Sequence, residues 1–278
     1  MTEARYVSAP FVIPEDFAAE LRNAADLLDA GTKALQTAQS ILAATQTVGL
    51  DSAHKFVAHF IFTKALKTAH AVQVLCRCGC GSDGLSLCAV LFENVVDLLY
   101  IGMAPVRRSQ RYCQFENVDK YFQARKILGY KRLPGGRRKV YKRYERNLHP
   151  QVAPFLKYFP KAGKGWAQKS LVERAKAVGA GLAYQELYWI FCAHKHTLPM
   201  SAVGLTVSTT TGESMLTTGP DMKMVCHAAE QSITLLLRLC SIVDKVFGLS
   251  LRAEIDARVS ELHAAITAVR GEHPSLFE

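Results

Sequence analysis

Residues 183–196, AYQELYWIFCAHKH, decide how the chain is read. Tyr184, Tyr188, Cys192 and His196 recur every four residues, which on an α-helix makes one slowly drifting stripe along a single face. Leu187, Ile190 and Phe191 lie beside that stripe. The spacing predicts a helix with a polar seam in a mostly apolar surface. Lys195 near the C-terminal carbonyls and Thr197-Leu198-Pro199 beyond them close it.

A second stripe stands upstream. Between Leu85 and Met103, Glu93, Asp97 and Tyr100 fall at i, i+4 and i+7, surrounded by Phe92, Val95, Val96, Leu98, Leu99 and Ile101. A helix apolar on nearly all faces belongs at the centre of a bundle. Carboxylates in such surroundings need a cation or hydrogen-bond donors, because an unpaired buried charge is costly. Arg111, His196, Tyr184 and Tyr188 are the partners the sequence offers. Two readings stand side by side. In one, the stripes line a pocket with Glu93 and His196 as a general acid/base pair, and Arg111 and Tyr188 complete the candidate catalytic set. In the other, they form a buried polar network that fixes helix register.

The rest of the chain is helical in rhythm. Residues 1–13 read as an irregular arm, and residues 14–278 as one helical domain. Pro14-Glu15-Asp16 starts a helix running to about Thr47, and Asp51 or Ser52 caps a second to about Cys78, with Phe56, Phe60, Ala65, Leu66, Ala69 and Val72 facing inward. The central helix follows over about 85–103, a fourth over 107–128, and a basic fifth over 137–147, ended by His149-Pro150. Ser170 with Glu173 three residues on has the form of a capping box. Residues 201–220 lack helical rhythm and read as a long Thr/Ser/Gly-rich loop or a small hairpin. Asp221 caps the next helix, to Phe247, and a last helix covers about 250–270. The expected class is all-α, an irregular multi-helix bundle.

Composition narrows the function. No stretch of roughly 18 residues, the length that spans a bilayer, is free of charge. The best candidate, Leu85 to Val106, contains Glu93 and Asp97. The N-terminus, MTEARYVSAPFVIPEDF, lacks the apolar core of a secretory signal. With eight cysteines mostly in apolar helical contexts, the expectation is a cytoplasmic protein with free thiols and no membrane partner. The net charge is +10, and the window Lys120 to Arg146, with eleven Lys/Arg and one acid, accounts for all of it. A charge excess confined to one segment points to a polyanionic partner.

That segment, extended to 107–146, carries the nucleic-acid candidates Arg125, Lys126, Lys131, Arg132, Arg137, Arg138, Lys139, Lys142, Arg143 and Arg146. Tyr121, Phe122, Tyr130, Tyr141 and Tyr144 are interleaved. Phosphates favour cations, and unstacked bases favour aromatic faces, so RNA or DNA is the expected partner. The competing reading is a solvated basic helix whose tyrosines face the core. Arg143-x5-His149 resembles the Arg-x4–6-His of the helical ribonucleases of the HEPN superfamily, although Pro150 follows the histidine at once. Cys76, Cys78 and Cys80 have the spacing C-x-C-x-C rather than the paired C-x2-C of structural zinc sites. Serine hydrolase, P-loop and dinucleotide-binding signatures are absent. No metal or other cofactor is expected.

Glu93-Asn-Val-Val-Asp-Leu-Leu-Tyr100, the pair Arg111-Tyr112, Trp166 before a helix, and Tyr188-x3-Cys192-x3-His196 together resemble the bacterial domain-of-unknown-function family 5677, over a span from about Phe17 to Pro199. The chain departs from that pattern twice. Cys192 stands where the family has serine, and Ala89 or Val90 replaces an arginine just before the glutamate. The first departure weakens a catalytic role for a hydroxyl there. The second implies that Arg111 or a histidine satisfies Glu93. The resemblance implies a helical domain with a polar core and supplies no activity. The leading expectation is a nucleic-acid-interacting protein. A metal-independent ribonuclease or other hydrolase, and a structural or regulatory protein, are the alternatives.

Overall fold

The computed structural model describes residues 17–160, 164–196, 206–208, 214–216 and 220–276. The expected arm at 1–13 and most of the 201–220 segment lie outside them.

Capping residues start the long helices where the sequence places them. Ser52 accepts the Lys55 amide at 3.2 Å and opens α3 (Ala53–Arg77). Asp221 accepts the Met224 amide at 3.0 Å and opens α10 (Met222–Phe247). The Ser170–Glu173 capping box is present in both directions at the head of α7 (Leu171–Ala177). Each cap satisfies amides that a helix leaves without a partner. α10 ends at Gly248, in the left-handed conformation with φ 66°. α11 (Arg252–Glu272) follows.

The main core is built by α2 (Ala25–Val48), α3, α4 (Gly81–Gly102), α10 and α11, with α4 and α10 most closely joined. Their approach is set by glycine. A Cβ on Gly81 would lie 2.2 Å from the backbone of Met224 and Val225, and one on Gly84 would lie 3.0 Å from Ala228. These residues therefore belong to a helix–helix contact, and α4 begins at Gly81 instead of the expected Leu85. Two buried thiols follow the same seam: Cys76 donates to the Val225 carbonyl and Cys88 to the Ala228 carbonyl, each at 3.7 Å. α4 is the one described helix long and apolar enough to cross a membrane, and most of it is covered by its neighbours.

Three boundaries or faces differ from expectation. The first helix is divided at Ala24 (φ −106°, ψ 12°) into α1 (Phe17–Asn23) and α2. In α3 the buried face holds Val57, Ile61, Ala65 and Val72, while Phe56 and Phe60 are each 50% exposed. The two phenylalanines sit one position out of phase with the seam. α6 (Gly135–Val152) runs through Pro150, where the sequence predicts an end. Proline costs the Arg146 carbonyl its helical partner. Arg146 is exposed to water, and the Ala153 amide still bonds the His149 carbonyl at 2.8 Å.

α5 (Pro105–Leu128) and α6 form an antiparallel hairpin with a small core of their own. Val118 and Tyr121 from α5 meet Leu148 and Val152 from α6, with Phe159 beneath. The 201–220 segment contains a two-stranded antiparallel pair, Thr206–Ser208 with Ser214–Leu216, so the small-hairpin reading holds.

Gly81→Ala is expected to destabilise the protein by about 3 kcal/mol, the upper end of ordinary overpacking, because the obstacle is backbone and cannot rotate away. Urea unfolding of the two proteins measures it. An unchanged midpoint would show that α4 and α10 separate at no cost.

Candidate functional site

The helix around which the sequence is read is not uniform. α8 (Gly181–Ala183) passes into a π-helical segment, Tyr184–Tyr188, and then into α9 (Trp189–Lys195). An α-helix turns once in about 3.6 residues, so a four-residue step overshoots. With i→i+5 bonding a turn takes more than four, so the same step falls short. The π segment therefore brings the drifting stripe back toward one line. Tyr184 and Tyr188 stack with centroids 5.1 Å apart, and Phe92 of α4 lies 5.5 Å from Tyr188.

That placement delivers Tyr188 to the α4 stripe. Its hydroxyl donates to Glu93 Oε1 at 2.7 Å. Burial, the Glu93 bond and neighbouring Cys192 together raise the phenol above its ordinary range. Of the four partners the sequence offers, Tyr188 is the one that meets Glu93. Arg111 and His196 are elsewhere. The Arg111 guanidinium lies 5.9 Å from the Tyr158 ring and 5.8 Å from Phe159. His196 is exposed at the end of α9, where its amide bonds the Cys192 carbonyl. Tyr188, and not Arg111 or a histidine, is the donor that satisfies Glu93.

One turn along α4, Asp97 is largely buried and held by two residues. Arg174 Nε of α7 lies 2.8 Å from Oδ1, and the Trp166 indole donates to Oδ2 at 3.2 Å. Burial pushes the carboxyl up to about 6, against the pull of Arg174 and Trp166, with Glu93 adding a smaller upward push. Trp166 is the hub of this end. Its ring lies 5.3 Å from Tyr112 and 5.9 Å from Tyr100. Burial, then Asp97, raises the Tyr112 phenol to about 12. Sequence reasoning missed Arg174. Its only signal is position, in the first helix after Trp166 and ten residues before Tyr184.

The polar interior can hold protons and fix register. The sequence-predicted acid/base pair is not assembled, because Glu93 meets Tyr188 and His196 faces outward. Among the described residues, no group of three or more His, Cys, Asp or Glu side chains could hold a metal ion. Cys76 is buried and Cys78 exposed, so the C-x-C-x-C thiols diverge.

The second candidate surface is the α5–α6 hairpin. Lys126, Lys131, Arg132, Arg137, Lys139, Lys142, Arg143 and Arg146 are exposed and make no ion pair among the described residues. Arg125 lies 3.6 Å from Glu145 across the hairpin. Arg138 serves the fold instead. It donates to the Leu128 and Tyr130 carbonyls at 3.1 and 2.9 Å and caps the end of α5. The interleaved aromatics divide. Tyr121 is buried and Phe122 packs against the hairpin core, while Tyr130 is 60% and Tyr144 42% exposed. His149 sits beside Tyr121, centroids 5.7 Å apart, and is exposed like Arg143.

The chain matches a family of unknown function, DUF5677, over residues 55–213, more than half its length, and belongs to that family. The match contains Glu93, Asp97, Trp166, Arg174 and Tyr188 and the whole basic hairpin, and it leaves α10 and α11 outside. No curated protein and no solved structure matches the chain.

Arg174→Met is expected to cost about 3 kcal/mol at pH 8, the scale for breaking a buried pair, and clearly less at pH 5. Asp97 holds its proton up to about pH 6 when folded, against about 3.9 for an unfolded aspartate. Its contribution to stability therefore falls as pH rises from about 4 to about 6, then levels. Without Arg174 the fall extends to higher pH. Urea midpoints at both pH values test this, and an equal loss at both would deny the pair an electrostatic role. Tyr188→Phe should cost about 2 kcal/mol, the scale of a hydrogen bond to a charged group.

Proposed function

We propose that this family member is a nucleic-acid-binding protein that engages single-stranded RNA or DNA through the outer face of the α5–α6 hairpin. The observation that carries the reading is the set of eight exposed cations on that hairpin that have no ion-pair partner among the described residues. Such charges repel one another, and a polyphosphate backbone relieves the repulsion while releasing counterions. Exposed Tyr130 and Tyr144 add faces for base stacking, which favours single strands. The hairpin keeps its own small apolar core, so its surface is free to be charged. A cytoplasmic location belongs to the same proposal: all eight cysteines are free thiols, as suits a reducing compartment. The hydrolase reading draws less support, since Glu93 is engaged by Tyr188 and His196 is exposed apart from it. In the favoured reading the polar interior is a scaffold.

Charge reversal should spare Arg138, whose capping role would confuse the result. The triple variant Arg137→Glu, Lys139→Glu, Arg143→Glu breaks no side-chain bond among the described residues. Binding of a single-stranded RNA oligonucleotide should weaken steeply with salt. The slope of log K against log salt should fall by about 2 in the triple variant, at about 0.7 per lost phosphate contact. No binding of the parent protein at low salt would reject the proposal, as would binding that the triple variant leaves unchanged. Gels of the bound oligonucleotide separate binding from cleavage.

A further inference from the structure

A second cationic feature lies away from the hairpin's outer face. At the junction of α4, α5 and the Trp166 loop, Arg107, Arg108 and Arg111 line a small cavity of about 40 Å³ walled by Tyr100, Trp166 and Ala167. The three arginines share the first turns of α5, at i, i+1 and i+4. Two of them rest against aromatic rings and have no ion-pair partner among the described residues. Arg108 lies over the Tyr100 ring, 3.7 Å from its centroid, and donates to the Tyr100 carbonyl. The Arg111 guanidinium lies 5.9 Å from the Tyr158 ring and 5.8 Å from the Phe159 ring. Arg107 is exposed. No carboxylate pairs with any of the three among the described residues, and Asp97, which the cavity-lining Trp166 bonds, is taken by Arg174 and Trp166. Lys169 adds a fourth cation, 6.0 Å from the Tyr100 ring.

Aromatic faces and a carbonyl fix guanidinium groups in place while leaving their outward N–H donors unspent. Two such groups and the exposed Arg107 around one cavity repel one another unless a concentrated negative charge sits between them. A water needs on the order of 10–15 Å³, so the cavity has room for a few oxygens and none for a base or sugar. From this geometry we infer that the Arg107–Arg108–Arg111 cavity is a binding site for a phosphate group, as free phosphate or as the terminal monoester of a nucleotide or nucleic-acid strand. The site is built from residues other than those of the proposed hairpin surface, so each stands or falls alone. Arginine suits such a site because its fork matches two phosphate oxygens at once.

Trp166 forms one wall and reports occupancy by fluorescence. In a Trp189→Phe background, which removes the other, half-exposed indole, inorganic phosphate should change the emission saturably. Sodium chloride at matched ionic strength should not. Arg107→Gln and Arg111→Gln should each weaken binding at least tenfold, while the hairpin triple variant keeps it. Arg107 is exposed and has no ion-pair partner among the described residues, so its replacement leaves the fold intact, and circular dichroism verifies this. A 5′-phosphorylated trinucleotide binding more tightly than its 5′-hydroxyl form and than phosphate would assign the source to strand ends. Equal affinity for phosphate and the phosphorylated trinucleotide would assign it to the free anion. A response equal to that of chloride, or one that survives both arginine replacements, overturns the inference.

Discussion

A carboxylate in the most apolar helix of the chain imposes the arrangement around it. Asp97 sits on α4, which packs against α3, α9 and α10. Leaving it unpaired there would cost several kcal/mol. Arg174 and the Trp166 indole supply what it needs, and each brings an element with it. Trp166 draws its loop down onto Tyr100 and Tyr112, which docks the start of α5. Arg174 draws α7 against α4, and α7 leads through a turn and α8 into the π segment that carries Tyr188 to Glu93. The docking of Trp166, α7 and the π segment on α4 thus follows from two acids that must be satisfied.

Much of this is legible in the residues alone. The i, i+4, i+7 spacing of Glu93, Asp97 and Tyr100 marks a polar line on a central helix, and the caps at Ser52, Ser170 and Asp221 mark helix starts. The two stripes offer Tyr188 as one of four partners for the two acids without singling it out, and the missing family arginine points to Arg111 or a histidine for Glu93 instead. What could not be read depends on contacts remote in sequence. Arg174 lies 77 positions from Asp97, in a helix whose own pattern is ordinary. Gly81 and Gly84 look like punctuation, and only the proximity of α10 shows that they are an interface. A π turn has no pattern that separates it from an α turn in a single chain. Phe56 and Phe60 read as core residues, but Val57 and Ile61 fit the seam, and hydrophobicity alone does not set phase.

Two apolar cores divide the labour. The main core collects α2, α3, α4, α10 and α11, and the hairpin core needs only a handful of residues. The family match covers the polar interior and the hairpin and stops before α10, whose residues complete the wall against α4. Trp166 belongs to the main core, and Arg111, which lines the same small cavity, lies beside Phe159 of the hairpin core. Cations gathered there are braced by rings from both.

The seam between α4 and α10 also governs how the cysteines behave toward reagents. Burial pushes Cys76 up to about 12, Cys226 to about 11 and Cys240 to about 12, and Cys88 higher still, so these thiols carry almost no thiolate at neutral pH. Cys78, at the turn between α3 and α4, and Cys113, on α5, are exposed. A maleimide dye meets those two first, one at the turn between α3 and α4 and one on α5 itself, with half-buried Cys80 and Cys192 after them. The native chain therefore comes with two ready attachment points for a fluorophore pair, while the hidden thiols wait as silent reporters of unfolding.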